Sequence, residues 1–282
     1  MTSALVLGAG GITGIAWQLG LLIGLRDGGV DLTTADLVVG TSAGSVTGAL
    51  LAAGWDPVDA AKIEAQPGAA DPPVRPDWAR GAQAYALLND AGRDPAAVRA
   101  GVGALALAAD VGAEEPYVAS LARRLPLTGW PARQLRITAV DATTGDPVVW
   151  DRTSGVPLDR AVAASCAVPC IFPPVTINGR RYVDGGVRSG TNADLAAGAD
   201  RVVVLAPLAL VRMRGAPAEE LAALRERSAV ALVAPDQATV AAIGPNVLDP
   251  YRWEPVIRAG VAQGRAVSTD VAQVWRGRPT AA

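Results

Sequence analysis

Apolar residues in this chain come in short runs stopped by glycines, each followed by a longer apolar stretch. Residues 4–7 form a run of strand length that ends in Gly8-Ala9-Gly10-Gly11. Residues 12–26 are long, mostly apolar and closed by Asp27-Gly28-Gly29. That order reads as strand, tight turn and buried helix. The pattern then repeats: a short strand at 36–39, a glycine-bounded turn at 40–44, and an apolar helix at 45–53 ending at Gly54. Two such units in succession predict a parallel sheet with helices on its faces.

From Trp55 to about Pro131 the character changes. Pro-, Asp- and Gly-rich stretches alternate with Ala-rich helical segments such as 94–110 and 114–124, which reads as a helical cap or insertion, not a separate domain. Residues 134–140 alternate and are β-branched enough for a strand; a turn at 141–146 and a returning strand at 147–150 predict a hairpin. A short helix is expected at 159–167, strands at 181–183 and 201–206, and C-terminal helices within about 218–276, at 218–234 and 253–275. The expectation is one α/β domain over 1–282, a three-layer fold with a central, mostly parallel sheet. Its core spans about 4–54 and 134–206, and its helical insertion about 55–131.

Composition narrows the chemistry. The chain has 282 residues, half of them hydrophobic and 18% charged, so it can bury a core and is not intrinsically disordered. A net charge of −2 offers no bulk attraction for nucleic acid. There is no histidine, which excludes a self-contained Ser-His-Asp or Cys-His triad and any zinc site that needs imidazole. A general base must therefore come from Asp, Glu, Lys62 (the single lysine), Tyr, a thiolate or a terminus. Cys166 and Cys170 are too few for a disulfide framework or a metal centre and read as small buried side chains. No metal and no organic cofactor are implied. The N-terminus lacks a charged segment and meets glycines at once, so it reads as a strand and not a signal peptide. No charge-free run has spanning length. A soluble, cytoplasmic protein is expected, compatible with transient contact at a membrane surface.

Three motifs carry chemistry. Gly40-Thr41-Ser42-Ala43-Gly44 fits G-x-S-x-G and lies between a predicted strand and a predicted helix, the context in which a sharp turn projects a serine hydroxyl at a helix N-terminus. It also reads as a plain glycine-rich turn with a capping serine. Gly10-Gly11-Ile12-Thr13-Gly14 follows a strand, and its N–H groups can converge on an anion. The rival reading of residues 8–14 is a dinucleotide phosphate loop, but position 13 is Thr and the next glycine comes one residue late, at Gly14. Tyr182-Val183-Asp184-Gly185-Gly186 puts a carboxylate at a strand end, with glycines that permit close approach. Alone it is an ordinary Asp-Gly turn. Together the three describe an elbow serine, an anion-binding turn and a carboxylate able to take a proton directly.

In this order the motifs resemble the patatin-like phospholipase family, over roughly 4–54 and 134–206, including the small-residue and Pro-rich approach to the aspartate at 163–186. The resemblance implies a patatin-like fold and a lipolytic serine acyl hydrolase of esterase or phospholipase A type, acting on a lipid or small ester. It further implies Ser42 as nucleophile, Asp184 as base, and an oxyanion hole from Gly10, Gly11 and Ile12, with Gly40, Gly44, Gly185 and Gly186 as motif glycines. The family's loop usually reads G-G-G-x-[Arg/Lys]-G. Here Ala9 replaces the first glycine and Thr13 stands at the cation, where an Arg is expected to be tolerated by the fold. A nucleotide-binding α/β protein and a non-catalytic patatin-fold protein are the alternatives.

Overall fold

A computed structural model describes residues 1–65, 75–209 and 217–276; residues 66–74 of the expected insertion lie outside the described residues. The chain runs β1 (Ser3–Leu7), α1 (Gly11–Asp27), β2 (Leu37–Gly40), α2 (Ala43–Ala52), α3 (Pro57–Glu64), α4 (Trp78–Leu88), α5 (Pro95–Ala108) and α6 (Glu114–Arg124). It continues through β3 (Gln134–Asp141), β4 (Pro147–Trp150), α7 (Leu158–Ser165), β5 (Val175–Ile177), β6 (Arg180–Asp184) and β7 (Arg201–Leu205). It ends with α8 (Pro217–Arg225), β8 (Ala229–Val233), α9 (Gln237–Ile243) and α10 (Trp253–Trp275).

The strands form one sheet in the order β5-β6-β3-β2-β1-β7-β8, with β4 paired to β3. β3, β2, β1, β7 and β8 run parallel, while β4 and β6 are antiparallel to β3 and β5 is antiparallel to β6. β1 is buried along its whole length, and apolar after Ser3, because it has a neighbour on each side and helices above and below. Its alternation sorts the two faces. Leu5 and Leu7 join the core under α1, α2, α7 and α10. Ala4 and Val6 point the other way, to Leu221 and Leu224 of α8 and a 3-10 turn at Ala193–Ala196. Helices thus cover both faces of a mostly parallel sheet, as the strand–turn–helix repeats predict.

α1 is buried nearly throughout, so it has no polar face for solvent. It packs on α10 at glycine-mediated distance. A Cβ on Gly20 or Gly24 would fall 2.5 Å from the Ile257 carbonyl oxygen or 2.1 Å from that of Val261, and one on Gly264 would fall 2.4 Å from that of Leu21. The insertion does two things. α4 and α5 cover Val140 of β3 and Val183 of β6 through Ala84, Val98 and Val102. α3 and α6 instead reach the crevice at the ends of the parallel strands, where their C-terminal residues Glu64 and Arg124 line a cavity.

One sequence expectation is corrected. Residues 218–234 are not a single helix: α8 stops at Arg225, and Ala229–Val233 is a parallel strand on β7, with Arg201 opposite Ala229. The run Ala-Val-Ala-Leu-Val is equally apolar as helix or strand, and the deciding feature, an open edge on β7, is tertiary. Among the described residues no helix is long and apolar enough to cross a membrane.

Candidate active site

The sheet register brings the motifs together. Gly40 at the end of β2 lies beside Leu7 at the end of β1, so the turns that follow both strands leave the sheet side by side. Gly40 also pairs with Ile137 of β3, and Ala139, two residues further along β3, pairs with Asp184 of β6. Asp184 therefore stands at the level that Ser42 reaches two residues after Gly40. A crevice at the carboxyl ends of parallel strands is where open α/β sheets place ligands.

Ser42 is the N-cap of α2, with φ 53° and ψ −119°. A non-glycine residue there is strained by about 1–3 kcal/mol and stays only if its surroundings hold it. They do so here. The Ser42 N–H donates to Ser165 Oγ at 2.9 Å, and its carbonyl oxygen accepts from Ser45 Oγ at 2.7 Å and Cys166 Sγ at 3.3 Å. Thr41 is fixed in turn by Thr138 Oγ1 at 3.0 Å and by Asn192 Nδ2 at 3.0 Å. The same Asn192 donates to the carbonyl oxygens of Ser189 and Gly185, so one buried amide ties the serine turn to the Asp-Gly-Gly turn.

Asp184 is buried, and its Oδ1 accepts from the Gly186 N–H at 2.7 Å. Burial pushes its carboxyl pKa up to about 6, against hydrogen bonding from Ser42 and from the Gly186 N–H, which lower it. A carboxylate raised in this way is a better base than an exposed one. Gly185 is held tight: a Cβ there would lie 2.2 Å from Thr138 Oγ1 and 2.6 Å from the Thr138 carbonyl oxygen.

The glycine turn after β1 starts α1, with Gly11 at φ +60°. The Gly8 N–H donates to Leu205 O, the Ala9 N–H to Gly190 O and the Thr13 N–H to Val247 O. Among the described residues the N–H groups of Gly10, Gly11 and Ile12 make no such bond, and the first N–H groups of a helix have no partner within it. Gly11 and Ile12 line the same cavity as Ser42; Gly10 and Asp184 lie off its wall.

That cavity measures about 580 Å³ and is lined mainly by apolar side chains, among them Ile15, Val46, Leu121, Phe172 and Trp253. Phe172 stacks on Tyr117 with ring centroids 5.0 Å apart. Cys166 lines the cavity beside Ser42, but burial and the nearby Asp184 charge push its thiol pKa far up, so it stays protonated. Among the described residues no group of three or more Cys, Asp or Glu is placed to hold a metal ion.

Position 13 departs from what the family pattern suggests. Thr13 is fully buried, and its Oγ1 donates to the Val247 carbonyl oxygen at 3.2 Å. Arg in its place would put an unpaired charge where there is no solvent. Thr13→Arg is therefore expected to lower the thermal midpoint by several degrees or to give insoluble protein, the reverse of the tolerance expected from sequence; an unchanged midpoint would contradict this.

The patatin-like phospholipase profile matches residues 5–197. The chain belongs to the patatin-like phospholipase family. The match takes in the glycine turn, the Ser42 elbow and the Asp184 turn. Uncharacterized NTE family proteins of Mycobacterium bovis and Mycobacterium tuberculosis are each 29% identical over 201 residues, covering 68% of this chain and 47% of theirs. The chain thus spans about half the length of the curated relatives it matches. Among solved structures, VipD from Legionella pneumophila is similar over 95% of this chain and 67% of its own, at a TM-score of 0.47 and 16% identity, too distant to bear on activity. The cavity residues contributed by the segment after 197, such as Leu248 and Trp253, lie beyond the family match.

Proposed function

We propose that this protein is a serine acyl hydrolase of lipid esters, with Ser42 as nucleophile and Asp184 as general base. The observation that carries the reading is the strained, buried Ser42 at the N-terminus of α2, at the level of a buried carboxyl of raised pKa and open to an apolar cavity. Ser42 Oγ attacks the ester carbonyl carbon while Asp184 accepts the hydroxyl proton. The tetrahedral oxyanion is held by N–H groups at Gly11 and Ile12, with Gly10 beside them at the same helix N-terminus. Collapse breaks the ester C–O bond, and protonated Asp184 returns its proton to the leaving alkoxide. Water, deprotonated by Asp184, then attacks the acyl-serine and frees the carboxylic acid and Ser42. The apolar lining suits a fatty acyl chain.

The test is covalent labelling with a fluorophosphonate, followed by peptide mapping. Label on Ser42 of the wild type, with none on Ser42→Ala and hydrolysis of p-nitrophenyl esters reduced to background, is the expected result. A Ser42→Ala protein that still hydrolyses these esters would remove Ser42 from the mechanism.

A further inference from the structure

We propose that Glu64 is a specificity-determining residue that receives a free hydroxyl of the substrate's alcohol portion. The inference rests on the acyl-hydrolase reading above and adds the chemistry of the substrate's polar half.

Glu64 is the last residue of α3 and is 5% exposed. It lines the Ser42 cavity, and its Oε1 is buried with no hydrogen-bond partner among the described residues. Buried carboxyl oxygens are nearly always bonded, so an unpartnered one on a residue that lines a cavity marks the place of a ligand's donor. The position is poor for a negative charge: burial raises the pKa to about 7 despite the opposing positive charge of Arg124, and the carbonyl end of α3 is adjacent. Arg124 stands on the same cavity and works against a cationic ligand as it works for a carboxylate. A neutral hydroxyl meets both conditions, because it donates to Glu64 without bringing charge to Arg124. Within a lipid ester the acyl chain has no donor, so the hydroxyl belongs to the alcohol. The lining of Ile15, Val46, Leu121 and Phe172 is left for the chain.

A site that hydrogen-bonds a substrate hydroxyl rejects the analogue lacking it, because its own polar group is then stranded. The test uses Ser42→Ala protein, in which esters remain intact, titrated calorimetrically with four octanoate esters: 2-hydroxyethyl, 2-methoxyethyl, propyl and 2-(dimethylamino)ethyl. The hydroxyethyl ester is expected to bind about tenfold or more tightly than the methoxyethyl and propyl esters. Adding Glu64→Leu should erase that advantage, whereas Glu64→Gln, which keeps an acceptor oxygen, should retain most of it. Equal binding of the hydroxyethyl, methoxyethyl and propyl esters, or an advantage that survives Glu64→Leu, overturns the assignment. If Glu64→Leu does not fold, the Ser42→Ala series and Glu64→Gln still decide it. Tightest binding of the dimethylaminoethyl ester, which is protonated at neutral pH, replaces the hydroxyl by an ammonium and also overturns it. Wild-type labelling at Ser42 together with an absent hydroxyl preference refutes this inference alone. Absence of both labelling and binding refutes the acyl-hydrolase reading with it.

Discussion

Asp184→Asn is expected to cut ester turnover by about 10²–10⁴ while making the fold more stable. Asn keeps the shape and an oxygen for the Gly186 N–H, which Asp184 accepts at 2.7 Å, but it cannot take a proton from Ser42. The stability gain follows from the raised pKa. The ordinary value is 3.8 and the folded value about 6, so the fold favours the protonated form. The contribution of this group to stability is complete below pH 3.8 and is lost as pH rises through 6. At neutral pH the buried carboxylate then costs roughly 2–3 kcal/mol, which the amide avoids. A rise of roughly 5 °C in the thermal midpoint is the corresponding readout. Catalysis runs the opposite way, since the base must be ionised. Wild-type kcat/KM should fall about tenfold per pH unit below an apparent pKa near 6. Glu64 titrates near 7, so the profile is also measured in Glu64→Gln, where the limb near 6 should persist. Steady-state hydrolysis from pH 4 to 8 with parallel melting curves checks each part. A folded Asn variant with wild-type turnover would exclude Asp184 as the base, and an acid limb near 4 would contradict its raised pKa.

The second large effect concerns folding. Gly44→Ala should destabilise the protein by about 3–5 kcal/mol or prevent soluble expression. A Cβ at this position would lie 1.9 Å from the Leu7 carbonyl oxygen and 2.4 Å from its carbon, both backbone atoms of the central strand. Neither can yield without moving β1 in the middle of the sheet. The last glycine of the serine motif thus lets α2 lie against β1, which is what holds the strained turn in place. Gly48, one turn further along α2, is the graded comparison: its Cβ would meet the Val38 Cγ1 at 3.0 Å, a side chain that can shift, so Gly48→Ala should cost much less. Gly81 in α4 has its nearest neighbour at 3.8 Å, and Gly81→Ala should be neutral or stabilising, because alanine favours helix. Urea midpoints of the three variants test the order. A Gly44→Ala protein with the wild-type midpoint would refute it.

The parallel centre of the fold was legible because β1 and β2 are each a short apolar run ended by glycine and followed by an apolar helix. The candidate residues Ser42 and Asp184 and the Gly10–Gly11 turn come together for a related reason: each is a polar or glycine feature at a strand end, and the register of β1, β2, β3 and β6 does the rest. The walls of the cavity were not legible. Glu64, Tyr117, Arg124 and Trp253 sit on helices whose local pattern announces only helix, and they meet only through packing. Thr13 shows the same limit from the other side: a loop compared with its relatives reads as open, while the carbonyl of Val247 that closes over it lies far along the chain. β8 was misread because alternating alanine and valine fits both states until β7 offers an edge.

The glycine contacts between α1 and α10 also set a schedule for synthesis. Gly24 has to wait for Val261, and Thr13 for Val247, before either finds its partner. At ribosomal rates of 5–20 residues per second that interval is on the order of tens of seconds. Through it, the first helix to emerge keeps an apolar surface uncovered. β1 meanwhile lacks β7, its second neighbour in the finished sheet. The turn that precedes α1 gains its backbone anchors at Leu205 and Val247 only when those later segments dock. A nascent chain would therefore carry Ser42 and Asp184 long before the turn between β1 and α1 was anchored.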